Sequence, residues 1–278
     1  NILPTDGPPL SEVNKYIEKY KNDLIVIKYG GNVLIDRNVF NNFITDLFVL
    51  NKLGLSTVVV HGGGPRIQRE LEKSNIQSKF IRGLRVTDKN IINIVESVLI
   101  DFNDDILQNL KKKGSEGISI HTKNNNIIEV IPEEKKLGFV GIPTEINNEI
   151  ILNILNQNKV PIVSPLGLDK NNQAYNINGD TAAMAIAKSL KARRLLLMTN
   201  VDGVLDKEKK LIEEISSSKI LEMVKNETIT EGMIPKINAC LDAVNNGVTA
   251  VGIINGTKKH SCLWEIFSDK GSGTLIRK

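Results

Sequence analysis

The chain has 278 residues, 41% of them hydrophobic and 24% charged, with a formal net charge of +4. This is enough apolar sequence for one large α/β domain or two lobes, and it excludes a disordered chain and a disulfide-dense secreted module. Two cysteines (Cys240 and Cys262) and 3 histidines, with no H-E-x-x-H or C-x-x-C spacing, suit neither a disulfide framework nor a zinc site, so a reducing compartment is expected.

No apolar run reaches the roughly 18 residues that span a bilayer, so no membrane partner is expected. The opening NILPTDGPPL holds neither an apolar signal core nor an Arg/Ser-rich transit pattern. Pro8-Pro9 precede Ser11, a suitable N-cap, with Glu12 in the first turn. Leu10, Val13, Tyr16, Ile17 and Tyr20 then form an apolar stripe at helical spacing. This helix precedes the first core strand and is not needed to complete a sheet. It either packs on its own lobe or docks on a partner.

Short Ile/Val-rich runs then alternate with segments of helical period, the pattern of βαβ units on a mainly parallel sheet. Leu24–Tyr29 reads as a buried strand ending in Gly30-Gly31, and Asn38–Lys52 as a helix with Val39, Phe43, Leu47 and Leu50 on one face. Leu55–Val60 is a second strand, ending in His61-Gly62-Gly63-Gly64, and Pro65–Lys73 the next helix, with Pro65 suited to its first turn. A long helix over Asp88–Lys112 follows, with Lys111-Lys112-Lys113 as its solvated end rather than a nucleic-acid footprint. A strand near Ile118, a polar hairpin at Asn124-Asn125-Asn126, strand Val160–Ser164 and helix Asn178–Leu190 complete the first group. The second group has strand Arg194–Thr199, helices around Lys219–Lys225 and Pro235–Asn246, and strand Thr249–Ile254. The divisions expected are an extension over 1–22, one lobe over 23–192 and another over 193–278.

Gly-rich turns at the carboxyl ends of parallel strands are where such sheets bind ligands, because backbone N–H groups can approach an anion there. Neither Gly turn has the G-x-G-x-x-G or G-x-x-x-x-G-K-[ST] spacing, and HGGG has no G-x-S-x-G nucleophile to serve as an esterase oxyanion hole. Lys28 lies on an apolar strand, where a lysine is costly unless its ammonium snorkels to the sheet edge or reaches a polar site. Lys236 opens a helix, where a cation wants an anionic partner, or is simply a surface residue. Asp180 opens the small-residue helix TAAMAIA, where it is a favourable helix-end charge or something more. Two lysines, an aspartate and two Gly turns together suit phosphoryl transfer, with the aspartate holding the lysines in register.

The ordered set KYGG (28–31), HGGG (61–64), RGLRVTD (82–88), NINGDTAA (176–183), TNVDGVL (199–205) and GMIPK (232–236) resembles the amino-acid kinase family, over nearly the whole chain. HGGG with GLRVT and NxNxD is similar to its narrower branch acting on N-acetyl-L-glutamate. The resemblance implies a three-layer α/β/α sandwich, with N-acetyl-L-glutamate bound and dimers formed by the first lobe, and MgATP bound by the second. It implies transfer of a phosphoryl group to the γ-carboxylate in arginine biosynthesis. Lys28 and Lys236 would stabilise that group and Asp180 would orient both. Gly63, Gly64, Arg85 and Asn176 would hold the substrate, with the Arg85 guanidinium on its α-carboxylate. Gly31, Asn200, Val201, Asp202, Gly203, Val204, Leu205, Thr228, Ile229 and Thr230 would line the nucleotide site. A carboxylate needs no general base at neutral pH, and Mg2+ would be held mainly by ATP phosphates and water, with no protein ligand named.

Family members often carry Asp where Asn200 stands and Gly where Glu231 stands, which bears on ATP contacts. Arginine-inhibited members carry a helix like 10–20 that links dimers into a homo-hexamer. The stretch HSCLWEIF (260–267) ending in GSGT (271–274) is similar to their arginine signature. By that resemblance Tyr16, His260, Glu265, Gly271 and Gly273 would bind L-arginine. Some relatives also bind the PII signalling protein, and the compartment would be the cytoplasm, or the plastid stroma in a photosynthetic eukaryote. The alternatives are a sister kinase on another carboxylate or carbamate, which Arg85 in GLRVT argues against, and a non-catalytic arginine sensor, which Lys28, Asp180 and Lys236 together argue against.

Overall fold

The run Leu24–Tyr29 forms strand β1, with Ile25, Ile27 and Tyr29 buried toward one face and Val26 toward the other. The two-residue period of a strand therefore puts Lys28 on the Val26 face. The structure, a computed structural model, describes residues 2–31, 36–226, 228–229 and 233–278.

Helix α1 (Leu10–Tyr20) precedes β1, and α2 (Arg37–Lys52), β2 (Ser56–His61), α3 (Gly64–Lys73), β3 (Phe80–Ile81), β4 (Leu84–Arg85) and α4 (Lys89–Lys113) follow it. Next come β5 (Gly117–Ile120), β6 (Ile128–Pro132), β7 (Gly141–Ile146), α5 (Asn148–Asn156), β8 (Val160–Val163), β9 (Leu166–Leu168), β10 (Ala174–Asn176) and α6 (Gly179–Ser189). The remainder is β11 (Arg194–Thr199), β12 (Glu214–Ser216), α7 (Ser217–Lys225), α8 (Ile234–Asn245), β13 (Ala250–Asn255), α9 (Ser261–Ile266) and β14 (Gly273–Arg277).

Eight strands make one sheet in the order β12-β14-β13-β11-β1-β2-β8-β5, parallel at every pair except β13–β14. Helices α5, α6 and α8 pack their apolar residues on the Val26 face, and α1, α2, α4 and α9 pack on the Ile25 face, giving three layers. The two sequence halves thus share one sheet, joined where β1 pairs with β11. The crevice over the carboxyl ends of β1 and β2 is where a ligand has access to turns from both halves.

Several local expectations shift. Helix α1 starts at Leu10 after Pro9, so Ser11 lies inside the first turn and caps nothing. Its stripe packs on its own chain, with Val13, Tyr16 and Tyr20 buried beside Phe43 and Phe267, while Leu10 stays 60% exposed. Asp36 and Asp88 cap α2 and α4 through their carboxylates. A four-stranded sheet (β10-β9-β6-β7) had no clear sequence signal; its strands are short, and a bulge between Glu129 and Val130 breaks their alternation.

Candidate active site

Lys28, Asp180 and Lys236 meet, although 152 and 56 residues of chain separate them from one to the next. The strand period aims Lys28 at the α6 face, and Asn178 caps α6 by accepting from the Asp180 and Thr181 N–H groups at 3.0 and 3.1 Å. Lys28 Nζ lies 2.9 Å from Asp180 Oδ1, off hydrogen-bond alignment, so this contact is an ion pair. Lys236 Nζ donates to Asp180 Oδ2 at 2.7 Å. Burial works against ionising Asp180, but the two ammonium groups prevail and hold its carboxyl well below the usual carboxylate range. The trio leaves one positive charge uncompensated, which suits an anionic ligand.

Two glycines make room for this geometry. A Cβ on Gly30 would lie 2.6 Å from Lys28 Nζ, and one on Gly179 would lie 3.2 Å from Lys28 Cε. Real Cβ atoms do not tolerate the first distance, so a side chain at residue 30 must displace the ammonium.

A cavity of about 130 Å³ opens beside the trio, lined by Gly62, Gly63, Gly64, Arg85, Asn176 and Gly179 among others. Gly63 stands at the N-cap of α3 with no side-chain cap, so first-turn N–H groups of that helix remain for a ligand. Arg85 is 7% exposed. It donates to Gln68 Oε1 at 3.1 Å, to Gly64 O at 3.3 Å and to Ser78 Oγ, and packs 4.7 Å from the Phe80 ring centroid. Burial lowers the guanidinium pKa, and among the described residues no carboxylate pairs with it. A buried, uncompensated guanidinium is suited to a ligand carboxylate. Asn176 Nδ2 donates to Thr87 Oγ1 at 3.3 Å at the cavity wall.

A second cavity, of about 860 Å³, brings together Asn200, Val201, Asp202, Gly203, Val204, Leu205, Thr228 and Ile229, and is also lined by Lys207, Lys209, Met233 and Asn255. The additional lysines gave no sequence signal beyond their charge. Asp202 is tied to Lys258 at 2.8 Å and accepts from Asn255 Nδ2 at 2.8 Å, contacts that lower its pKa. Gly31 (φ +76°) is exposed and lines neither cavity. Thr230, Glu231 and Gly232 lie outside the described residues. Gly179, next to Asp180 in the chain, lines the smaller cavity and Met233, on the same turn as Lys236, lines the larger, while the trio's own side chains line neither. Among the described residues no group of three or more His, Cys, Asp or Glu converges to hold a metal ion.

The five residues grouped for L-arginine are only partly gathered. Gly271 and Gly273 line a cavity of about 420 Å³ with Lys258, Lys270 and Trp264. Tyr16, His260 and Glu265 do not line it: Tyr16 donates to Asp269, His260 Nδ1 is 2.6 Å from Asp46 Oδ1, and Glu265 Oε2 accepts from Ser272 N at 2.7 Å. Burial raises the Glu265 carboxyl above its ordinary value.

The amino acid kinase family profile matches residues 23–255. An acetylglutamate kinase from Pelagibacter ubique (strain HTCC1062) is 57% identical over 278 residues, covering 100% of this chain and 96% of its own length. One from Campylobacter fetus subsp. fetus (strain 82-40) is 42% identical over 264 residues, covering 94% of each. Among solved structures, N-acetylglutamate synthase from Neisseria gonorrhoeae complexed with coenzyme A and L-arginine has a TM-score of 0.82 at 22% identity, a likeness of fold alone. It covers 96% of this chain, which spans 64% of the synthase's length.

Proposed function

The chain belongs to the amino acid kinase family, and on that premise we propose that it transfers the γ-phosphoryl group of ATP to the γ-carboxylate of N-acetyl-L-glutamate, in arginine biosynthesis. The observation that carries this reading is the Lys28–Asp180–Lys236 trio, with one positive charge to spare, beside a small cavity that holds an uncompensated arginine. In the reaction a carboxylate oxygen forms a bond to the γ-phosphorus while the bond from that phosphorus to the β,γ-bridging oxygen breaks, releasing ADP. No proton has to move, so no general base is needed. Residues 23–192 hold the amino-acid substrate and 193–278 the nucleotide.

Lys28 and Lys236 then face charge that spreads over the transferring group, and Asp180 keeps both ammonium groups at fixed positions before substrate arrives. Gly63 and Gly64 offer backbone N–H groups, and Arg85 takes the α-carboxylate with two-pronged geometry. Asn176 orients the substrate, and Asn200–Leu205 with Thr228 and Ile229 hold the nucleotide. Magnesium arrives on ATP, as part of the substrate. Acyl phosphate trapped with hydroxylamine from N-acetyl-L-glutamate and MgATP, and not from glutamate, aspartate or carbamate, is the expected result. Folded protein that gives no product with any of them would overturn the reading and favour an arginine sensor.

The finer reading is feedback inhibition by L-arginine at the cavity beside Gly271 and Gly273, in a hexamer joined through α1, in the cytoplasm. Supporting it are Trp264 and an acidic Glu213 at that cavity, the exposed Leu10 of α1, and the L-arginine complex of the synthase of like fold. Among the described residues no helix is long and apolar enough to cross a membrane. Unchanged turnover at millimolar arginine, or sedimentation as dimers alone, would remove it. Binding of a PII protein would use the same assembly and is read by co-sedimentation.

A further inference from the structure

Asn103 lies on the buried face of α4, at 0% exposure, outside every residue assigned a role above. Its Nδ2 is 2.8 Å from Ser119 Oγ, 3.2 Å from Ile120 O and 3.1 Å from Ile162 O, reaching strands β5 and β8. Two of these neighbours are carbonyls, which only accept, so the amide nitrogen must face them and Oδ1 must face the other way. There Oδ1 lies 2.5 Å from His61 Nε2, at the end of β2. One side chain thus ties the carboxyl ends of three adjacent strands at His61, the residue that leads into Gly62, Gly63 and Gly64.

Both ring nitrogens of His61 face acceptors, Nε2 the Asn103 Oδ1 at 2.5 Å and Nδ1 the Gly62 carbonyl at 2.8 Å, so a neutral ring can donate to only one of them. The shorter contact, to Asn103, favours the proton on Nε2. The ring is fully buried, packs edge-on against Phe102 at 4.7 Å, and has no carboxylate partner among the described residues. The charge that acts on it is the Arg66 guanidinium, 3.8 Å from the Phe102 centroid and paired with Asp105 at 2.6 Å. Burial outweighs the Gly62 carbonyl and the Asn103 amide, which both favour the charged ring, and lowers His61 to about 4, so at neutral pH it carries one ring proton. Nδ1 then holds a lone pair 2.8 Å from Gly62 O and donates nothing to the loop. The loop depends instead on the Gly62 N–H bond to Tyr29 O at 2.7 Å and on the anchorage of His61 itself.

We propose that Asn103 is a positioning residue for phosphoryl transfer: it holds His61 as the Nε2–H tautomer and through it fixes the Gly62–Gly64 loop against the cavity. The proposal rests on the kinase reading for its kinetic consequence, but not for the tautomer. An unanchored loop lets the Gly63 and Gly64 N–H groups drift from the phosphoryl group, and misplacements of this size cost roughly tenfold or more in rate.

The test combines ring ¹⁵N shifts of histidine-labelled protein at neutral pH with kinetics of three variants. The expected results are a protonated Nε2 at His61 in the wild type, and loss of that signature in Asn103→Ala. Asn103→Ala and His61→Ala should each lower kcat roughly tenfold or more with a smaller change in the KM for N-acetyl-L-glutamate. His61→Gln, whose amide nitrogen can occupy the Nε2 position, should recover kcat to within about threefold of the wild type. A wild-type ring protonated at Nδ1 would overturn the proposal, as would full turnover in His61→Ala or a His61→Gln no better than His61→Ala. If Asn103→Ala does not fold, the wild-type tautomer and the two His61 variants still decide. A wild type with the Nε2–H signature that never phosphorylates N-acetyl-L-glutamate would sink the kinase reading and leave the anchorage standing.

Discussion

Two carboxylates drawn into the fold, Asp180 and Asp46, respond to it in opposite ways. Asp180 faces two lysines and is held below its ordinary range although burial works against it. Asp46 is 2% exposed and faces one histidine, His260, at 2.6 Å. Burial there outweighs the histidine and the backbone donors, and the carboxyl rises to about 6. The difference shows how ion pairs divide by purpose. A carboxylate between two cations stays charged and keeps them in place with positive charge to spare, whereas the buried Asp46, with one imidazole and the backbone donors of Cys262 and Leu263, ties α2 to the start of α9 and holds its proton more readily.

The sharpest way to break this contrast is to remove a cation. On the proposed function, in which Lys236 faces the transferring group, Lys236→Ala should lower kcat by roughly 10²–10³ with little change in melting temperature. A variant with near-wild-type turnover would take the trio out of the chemistry. Gly30→Ala reaches the same trio indirectly. Its Cβ would stand 2.6 Å from Lys28 Nζ, so kcat should fall roughly tenfold while the fold persists. Arg85→Lys keeps the charge but loses the fork, and should raise the KM for N-acetyl-L-glutamate about tenfold with kcat less affected.

Stability against pH separates the two carboxylates directly. Asp46 stands at about 6 in the folded protein against an ordinary 3.8, so between those values the folded state keeps a proton that the unfolded chain has released. Its effect is thus to reduce stability as pH rises through that window. Asp180, held below 3.8, contributes stability that is complete above the ordinary value and is lost as pH falls below it. Relative to wild type, Asp46→Asn should gain about 2 kcal/mol, roughly 4–8 °C in Tm, as pH is raised from about 4 to about 6. Asp180→Asn should lose ground to wild type as pH rises through the acid range. Slopes of the same sign, measured by thermal melts across pH, would refute the contrast. The smallest effect is expected at the surface: Tyr16→Phe removes a half-exposed bond to Asp269 and should cost no more than about 1 kcal/mol.

The outline of the fold was legible because its strong signals are local. Leu24–Tyr29 and Arg194–Thr199 lie in the structure at the bounds their apolar runs suggest, and most helices lie within a residue or two of the periodic segments. What escaped was set by distant partners. β9 and β10 are three residues each and gain their character from β6 and β7, and α9 is a six-residue helix whose start at His260 is held by Asp46. The apolar stripe of α1 was equally compatible with its own chain or another; burial of Val13, Tyr16 and Tyr20 assigns most of it to its own chain.

By itself the sequence determined the residue types that the proposed chemistry would use: lysines at 28 and 236, an aspartate at 180, glycine turns at the ends of two strands, and an arginine at 85. It also placed Lys28 on an apolar strand and Asp180 and Lys236 at the starts of helices, because apolar runs and helical periods are local signals. Only the tertiary structure decided that the two lysines share one carboxylate, that a cavity opens beside it at the glycine turn, and that Asn103 joins His61 to β5 and β8. Those contacts join residues tens to more than a hundred positions apart, and no local propensity encodes a distance between them. It is set when β1 pairs with β11 and the helices close over the sheet.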